Sequence, residues 1–250
     1  MTTNKQIAIS VKNLTKKFGS FSANKNLCFE VFKGEIFGFL GANGAGKTTA
    51  IKILCGLSKP TDGDISVAGY DVYTETEKIK QNIGYMSQKF SLYNDLTVWE
   101  NIQFYAGIYG MSRKDIKKEA TNLLEKLNLT HVRDKQIGSL PLGWKQKLAF
   151  SIAVIHNPAI VFLDEPTGGV DPITRRQFWE LIYEAAHKGI TVFVTTHYMD
   201  EAEYCNRLSI MVNGEIREVG KPLDLINKYK AKNMNEVFIK LARSSSEEKI

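Results

Sequence analysis

Three glycines, a lysine and two threonines set the chemistry of this chain. Gly41, Gly44 and Gly46 precede Lys47, Thr48 and Thr49 in a complete G-x-x-x-x-G-K-[ST] phosphate loop. Glycines so spaced let backbone N–H groups converge on the β- and γ-phosphates of a nucleotide, and a following helix adds positive charge at its N-terminus. The phosphate contacts are therefore assigned to Gly41, Asn43, Gly44, Ala45, Gly46, Lys47, Thr48 and Thr49. In this reading the Lys47 ammonium reaches the phosphates and the Thr48 hydroxyl ligates Mg²⁺. Asp164 and Glu165 form a second candidate set, adjacent carboxylates closing the apolar run 159–163. One such carboxylate can bind a metal while its neighbour reaches past it to a water. The competing readings are a glycine-rich turn that binds nothing and an acidic loop after a strand.

The elements around these residues decide between the two readings. Residues 35–40 read as a short buried strand, and Ala50, Ile53, Leu54 and Leu57 fall at helical spacing behind the loop. That strand–loop–helix setting separates a working phosphate cradle from a chance match. Residues 7–11 and 28–32 predict antiparallel strands before it, and 64–68 and 83–86 predict two more. From Gln88 to about 156 the period turns helical, with capping-box starts at Thr97/Glu100 and Ser112/Asp115. Val98, Ile102, Tyr105, Ala106 and Tyr109 make one apolar stripe, and Ile116, Ala120, Leu123, Leu124 and Leu127 another. The continuous apolar runs 159–163 and 190–194 predict central parallel strands joined by a crossover helix over 173–187. Ligand groups in such sheets gather beyond the strand C-terminal ends, where Asp164, Glu165 and His197 fall. Asn213-Gly214 predicts a hairpin between 208–212 and 215–219, and the 244–249 tail reads as mobile.

Composition narrows the class. With 250 residues, 43% hydrophobic and 24% charged, the chain has the make-up of a soluble globular domain. It has no apolar run near the ~18 residues of a membrane span, and the opening six residues lack a secretory signal, so an intracellular chain is expected. A net charge of +6 from scattered lysines, with no basic-aromatic module or finger spacing, gives no indication of nucleic acid. Cys28, Cys55 and Cys205, far apart and odd in number, read as reduced thiols.

Taken together and in order, these motifs resemble the ATP-binding-cassette ATPases, specifically the nucleotide-binding subunit of a transporter, over essentially the whole chain. The resemblance makes Asp164 the carboxylate that organises Mg²⁺ and Glu165 the catalytic carboxylate that polarises the attacking water. Gln88 matches the glutamine that touches Mg²⁺ and the water where the membrane partner docks. His197 matches the switch histidine at the γ-phosphate, and Asp171 the aspartate that communicates with the opposite subunit. Phe18 falls where the family places an aromatic on adenine, with a packed core ring as the competing reading. The signature motif departs from the family's L-S-G-G-Q: Leu140-Pro141-Leu142-Gly143-Trp144 lacks the serine, the first glycine and the glutamine. Pro141 offers neither hydroxyl nor N–H, so Gly143 and the helix start behind it are left to face nucleotide, with Ser139 as a substitute hydroxyl.

The variant signature and the Thr195–Glu203 stretch resemble the multidrug or antibiotic exporter branch. The resemblance implies an α/β P-loop NTPase fold with a mixed sheet and an inserted helical lobe. It implies one domain over 1–250: a core at about 1–88 and 157–220, a helical subdomain at about 89–156, and C-terminal helices at about 221–243. It further implies Mg²⁺-dependent ATP hydrolysis, a homodimer or heterodimer of cassettes, and a polytopic transmembrane permease as partner. The implied place is the cytoplasmic face of the cell membrane, with the chain peripheral to it. Phe90, Leu92, Tyr93, Leu96 and Trp99 either line a groove for that partner or pack the lobe. A soluble cassette acting on nucleic acid, ribosomes or cluster assembly is the alternative, as is a nucleotide-binding regulator that does not hydrolyse. The chain lacks the tandem cassette and the long coiled-coil insertion expected of ribosomal and DNA-repair cassettes, and Glu165 and His197 weigh against the regulator.

Overall fold

The computed structural model of the chain describes residues 6–88 and 92–247, the stretch 244–247 by backbone alone. Strands β1 (Ile7–Phe18) and β2 (Phe21–Phe32) form a long antiparallel hairpin turned at Gly19 and Ser20. Both strands extend well beyond the apolar stretches that announced them, because polar residues such as Lys12, Asn13, Lys17 and Asn26 occupy exposed positions along them. Strand β3 (Ile36–Gly41) is buried along its whole length and delivers the chain to the phosphate loop, which opens helix α1 (Lys47–Leu54). That helix stops early. The Gly56 N–H (φ 69°) donates to Ile53 O at 2.9 Å and the Leu57 N–H to Lys52 O at 2.8 Å, a Schellman turn. Leu57, expected on the apolar stripe, is thereby carried off the helix and left exposed. Strands β4 (Asp62–Val67) and β5 (Tyr70–Asp71), helix α2 (Thr76–Asn82) and strand β6 (Ile83–Met86) follow.

Helices α3 (Val98–Ile108), α4 (Arg113–Lys126) and α5 (Leu142–Ala153) form the inserted lobe. Thr97 and Glu100 complete a reciprocal capping box on α3. On α4 the expected box is half made: Ser112 caps Asp115 N, and the Asp115 carboxylate accepts the Ser112 hydroxyl at 2.6 Å in place of the reciprocal backbone bond. Beyond the lobe run strand β7 (Ile160–Asp164), helix α6 (Pro172–His187), strand β8 (Thr191–Thr196) and the short helix α7 (Met199–Ala202). Strands β9 (Arg207–Val212) and β10 (Glu215–Gly220) make the hairpin at Asn213-Gly214, and helices α8 (Pro222–Lys228) and α9 (Met234–Glu247) close the chain. The backbone of α9 runs helically into the tail read as mobile.

The strands divide into two sheets. A six-stranded sheet has the order β10-β9-β3-β8-β7-β6, parallel except at the β9–β10 edge, and the order β2-β1-β4-β5 makes a separate antiparallel sheet. Phe29 of β2, Phe37 and Phe39 of β3 and Phe193 of β8 weld one sheet to the other, with ring centroids 5.3 to 6.1 Å apart. A second core joins the lobe to α6, and Tyr109 at the end of α3 stacks on His156 at 3.7 Å. The three cysteines are free; burial pushes the Cys55 and Cys205 thiols up and away from reactivity. Among the described residues no helix is long and apolar enough to cross a membrane.

Candidate functional site

Neighbouring parallel strands bring the sequence candidates together. In the register Leu40 lies beside Thr196 and Asp164 beside Thr195, so the ends of β3, β8 and β7 open side by side. The phosphate loop, His197 and the Asp164-Glu165 pair leave those three ends. Gly46 (φ 103°) is required by crowding as well as by conformation, since a Cβ there would stand 2.3 Å from the Ala23 carbonyl oxygen.

Glu165 is the meeting point. Its Oε1 lies 3.1 Å from Lys47 Nζ, and its Oε2 accepts from Gln88 Nε2 at 3.0 Å and from His197 Nδ1 at 2.9 Å. Lys47 also donates to the carbonyls of Gly41 at 2.8 Å and Ala42 at 3.1 Å. The ammonium has three protons, and all three are engaged within the chain. Glu165 takes a left-handed backbone (φ 49°), a conformation costing a non-glycine residue about 1 kcal/mol or more, and it breaks strand alternation at the carboxylate. Thr195 secures the turn by accepting the Glu165 N–H on its hydroxyl at 3.0 Å.

Asp164 is 1% exposed. Its Oδ1 accepts from Thr195 Oγ1 at 2.7 Å and Thr48 Oγ1 at 3.4 Å, while its Oδ2 is buried without a partner. A hydroxyl and a carboxylate with an unsatisfied buried oxygen are hard donors, suited to a divalent cation that takes its remaining ligands from phosphate and water. The residues present thus fit Mg²⁺.

A cavity of about 260 Å³ lies over the loop, lined by Asn43, Gly44, Gly46, Lys47, Thr48, Thr49, Gln88, Glu165, Ala23 and Phe21. Phe18 is not in that lining. It is exposed, with the Lys16 ammonium 5.0 Å over its ring, whereas Phe21, its cross-strand neighbour and also exposed, is among the lining residues.

The signature stretch stands apart. Pro141 is the N-cap of α5 with no side-chain cap, and Leu142 is exposed. A Cβ on Gly143 would meet Thr174 Cγ2 at 2.5 Å, so close packing of α5 on α6 requires this glycine. Ser139 spends its hydroxyl proton on Gln136 O at 2.7 Å. Asp171 caps α6, accepting from the Ile173 and Thr174 N–H groups at 3.0 Å each; the Thr174 hydroxyl, then the backbone bonds, hold its carboxyl below the usual range. Of the suggested groove, Phe90 lies outside the described residues, Leu92 is buried in the lobe and Tyr93 is exposed against Phe104. A wider cavity of about 650 Å³ opens between core and lobe, its lining including Leu57, Tyr85, Ile108 and Tyr109.

Known proteins place this arrangement. The "ABC transporter" family model matches residues 24–168. The chain is 46% identical to the "Probable multidrug ABC transporter ATP-binding protein YbhF" of Escherichia coli over 92% of its length, and it spans 39% of that protein. It is 36% identical to the "Linearmycin resistance ATP-binding protein LnrL" of Bacillus subtilis, covering 94% of this chain and 79% of that one. Among solved structures, an ATP-binding subunit of an ABC transporter superposes with a TM-score of 0.84 at 28% identity, covering 94% of this chain and 99% of that chain. A dimeric post-hydrolysis cassette bound to ADP and Pi does so with a TM-score of 0.77 at 29% identity, covering 85% of this chain and 98% of that one. The chain belongs to the ABC transporter ATP-binding family, the ATPase cassettes.

Proposed function

We propose that this chain hydrolyses ATP, with Mg²⁺, to power export through a separate transmembrane subunit, as half of a dimer of cassettes. The observation that carries the reading is the convergence of Lys47, Gln88 and His197 on Glu165. In this proposal Gly44, Gly46 and Lys47 hold the β- and γ-phosphates. Lys47 must release a partner to do so, because its three protons are already engaged. Releasing Glu165 removes the cation beside that carboxylate and makes it the stronger base towards an attacking water. Gln88 and His197 keep their hydrogen bonds to it and fix its direction, with His197 reaching on to the γ-phosphate. Thr48 and Asp164 would hold Mg²⁺, with Gln88 beside them, and the chemistry it would supply is charge neutralisation at the phosphates.

Phosphoryl transfer is mostly positioning and charge stabilisation, so a site split across two chains makes closure the gate. Gly143 and the N-terminus of α5 face the partner's nucleotide in this reading, and Asp171 lies at the start of α6 on the same side. The cleft beside Leu57 and Ile108, exposed apolar residues on core and lobe, suits a short amphipathic helix of the membrane subunit. Its site is then the cytoplasmic face of the membrane. Drug export is proposed from the names of YbhF, a probable multidrug transporter protein, and LnrL, a linearmycin resistance protein. The test is purification from membranes with phosphate release assayed on the product: a co-purifying polytopic subunit and Mg²⁺-dependent turnover are expected, and a soluble, partnerless ATPase contradicts the transport reading.

A further inference from the structure

Glu201 is the most deeply buried carboxylate among the described residues, and it lies outside the roles assigned so far. It follows His197 on the short helix α7, among the exposed acids Asp200 and Glu203, yet is itself 0% exposed. Its Oε1 accepts the Thr167 hydroxyl, its Oε2 accepts the Thr196 hydroxyl at 2.6 Å, and Arg175 Nε of α6 lies 3.5 Å from Oε1. A carboxylate withdrawn from water is costly unless its oxygens are well served, and here two hydroxyl donors and a facing guanidinium come from three separate segments.

Those segments carry the reacting residues. Thr196 precedes His197, and its oxygen also accepts the Tyr198 N–H at 3.0 Å, so His197 is bracketed by two residues bonded to each other. Arg175 stacks its guanidinium over Tyr198 at 4.3 Å, and the Tyr198 ring lies 4.2 Å from that of His197. Thr167 stands two residues after Glu165 in the loop leaving β7. The adjoining Gly168 carbonyl accepts Gln146 Nε2 of α5 at 3.2 Å, so the chain of bonds runs on into the lobe.

We propose that Glu201 is a positioning residue: its carboxylate sets His197 against Glu165 and, through Thr167, Gly168 and Gln146, ties that setting to the place of helix α5. The inference rests on the hydrolytic reading above for its consequence, though not for its geometry. Movement of the lobe that draws α5 away pulls on the loop behind Glu165, and Glu201 passes the displacement to the histidine. The two hydrolytic residues then come into register only when α5 is seated.

The test uses the whole chain with Glu201→Ala, Glu201→Gln and Thr196→Val. Steady-state phosphate release gives kcat and KM for ATP, and NMR of the four histidine imidazoles without nucleotide gives the setting of His197 directly. Glu201→Ala is expected to lower kcat about tenfold or more while KM stays within about twofold. Glu201→Gln, which still accepts a hydroxyl, restores most of the rate. Glu201→Ala and Thr196→Val move the His197 resonance and leave His131, His156 and His187 in place. If Glu201→Ala does not fold, Thr196→Val supplies both readouts, with Glu201→Gln as its control. An unmoved His197 resonance, or a kcat near that of the unaltered chain in both Glu201→Ala and Thr196→Val, overturns the proposal. A moved resonance in a chain that hydrolyses nothing leaves the Glu201–His197 link standing and removes the hydrolytic reading.

Discussion

The phosphate loop and the signature stretch are built on opposite plans. Around the loop the ammonium of Lys47 is met by Gly41 O, Ala42 O and Glu165, and Glu165 by Gln88 and His197 as well. At Leu140 to Trp144 nothing comparable occurs: α5 begins at Pro141 without a side-chain cap, Leu142 faces solvent, and Ser139 turns its hydroxyl to Gln136. What holds this region is packing and one buried glutamine, Gly143 against Thr174 and Gln146 against Gly168. The contrast teaches that the first region is organised towards a ligand by its own chain, whereas the second is a packed surface with its uncapped end outward. In the proposed dimer the two regions are the two faces of one site.

The largest effect should come from the loop side. Glu165→Gln removes the base and is expected to cut ATP turnover by about 10²–10⁴, measured as phosphate release, with nucleotide still bound. Next, Lys47→Ala removes charge-assisted bonds to phosphate worth about 1.5–3 kcal/mol, so ATP affinity by titration calorimetry should fall tenfold or more. Should either substitution leave its readout unchanged, the loop region is not the self-sufficient half that the comparison makes it.

The signature side should respond in stability. Gly143→Ala drives a methyl to 2.5 Å from Thr174 Cγ2 and is expected to cost about 1–3 kcal/mol, seen as a lower thermal midpoint. Adding Thr174→Ser removes that methyl and should restore the midpoint. A doubly substituted chain that is stable but turns over no ATP would show that Gly143 also serves the nucleotide. The smallest effect is expected at the cavity mouth: Phe21→Ala should weaken ATP binding by about 1 kcal/mol, at the low end for base stacking because the ring is 63% exposed. A larger loss on Phe18→Ala than on Phe21→Ala would place the adenine platform at Phe18.

Much of this architecture is readable along the chain, since its signals are local. The buried runs at β3, β7 and β8, the Asn213-Gly214 turn and the Thr97 capping box each announce themselves within a few residues. Features decided by more distant geometry are not. Leu57 keeps helical spacing with Ala50 and Leu54, but Gly56 ends the helix before it. The two-sheet division depends on which strands pair, and alternation alone does not say so. Glu201 sits among Asp200 and Glu203 with no local signal that sets it apart, and only the adjacency of β7 and β8 brings Thr167 and Thr196 to it. Phe18 and Phe21 differ in which way a hairpin turn presents them.

The central claim is that the loop region and the signature region complete one another across two copies of the cassette. Sedimentation velocity of the Glu165→Gln chain, in ATP with Mg²⁺ and in ADP, tests it most directly, alone and with its membrane subunit. A dimer that forms with ATP and falls apart with ADP is the predicted result. A chain that stays monomeric in ATP even on the membrane subunit would contradict the account.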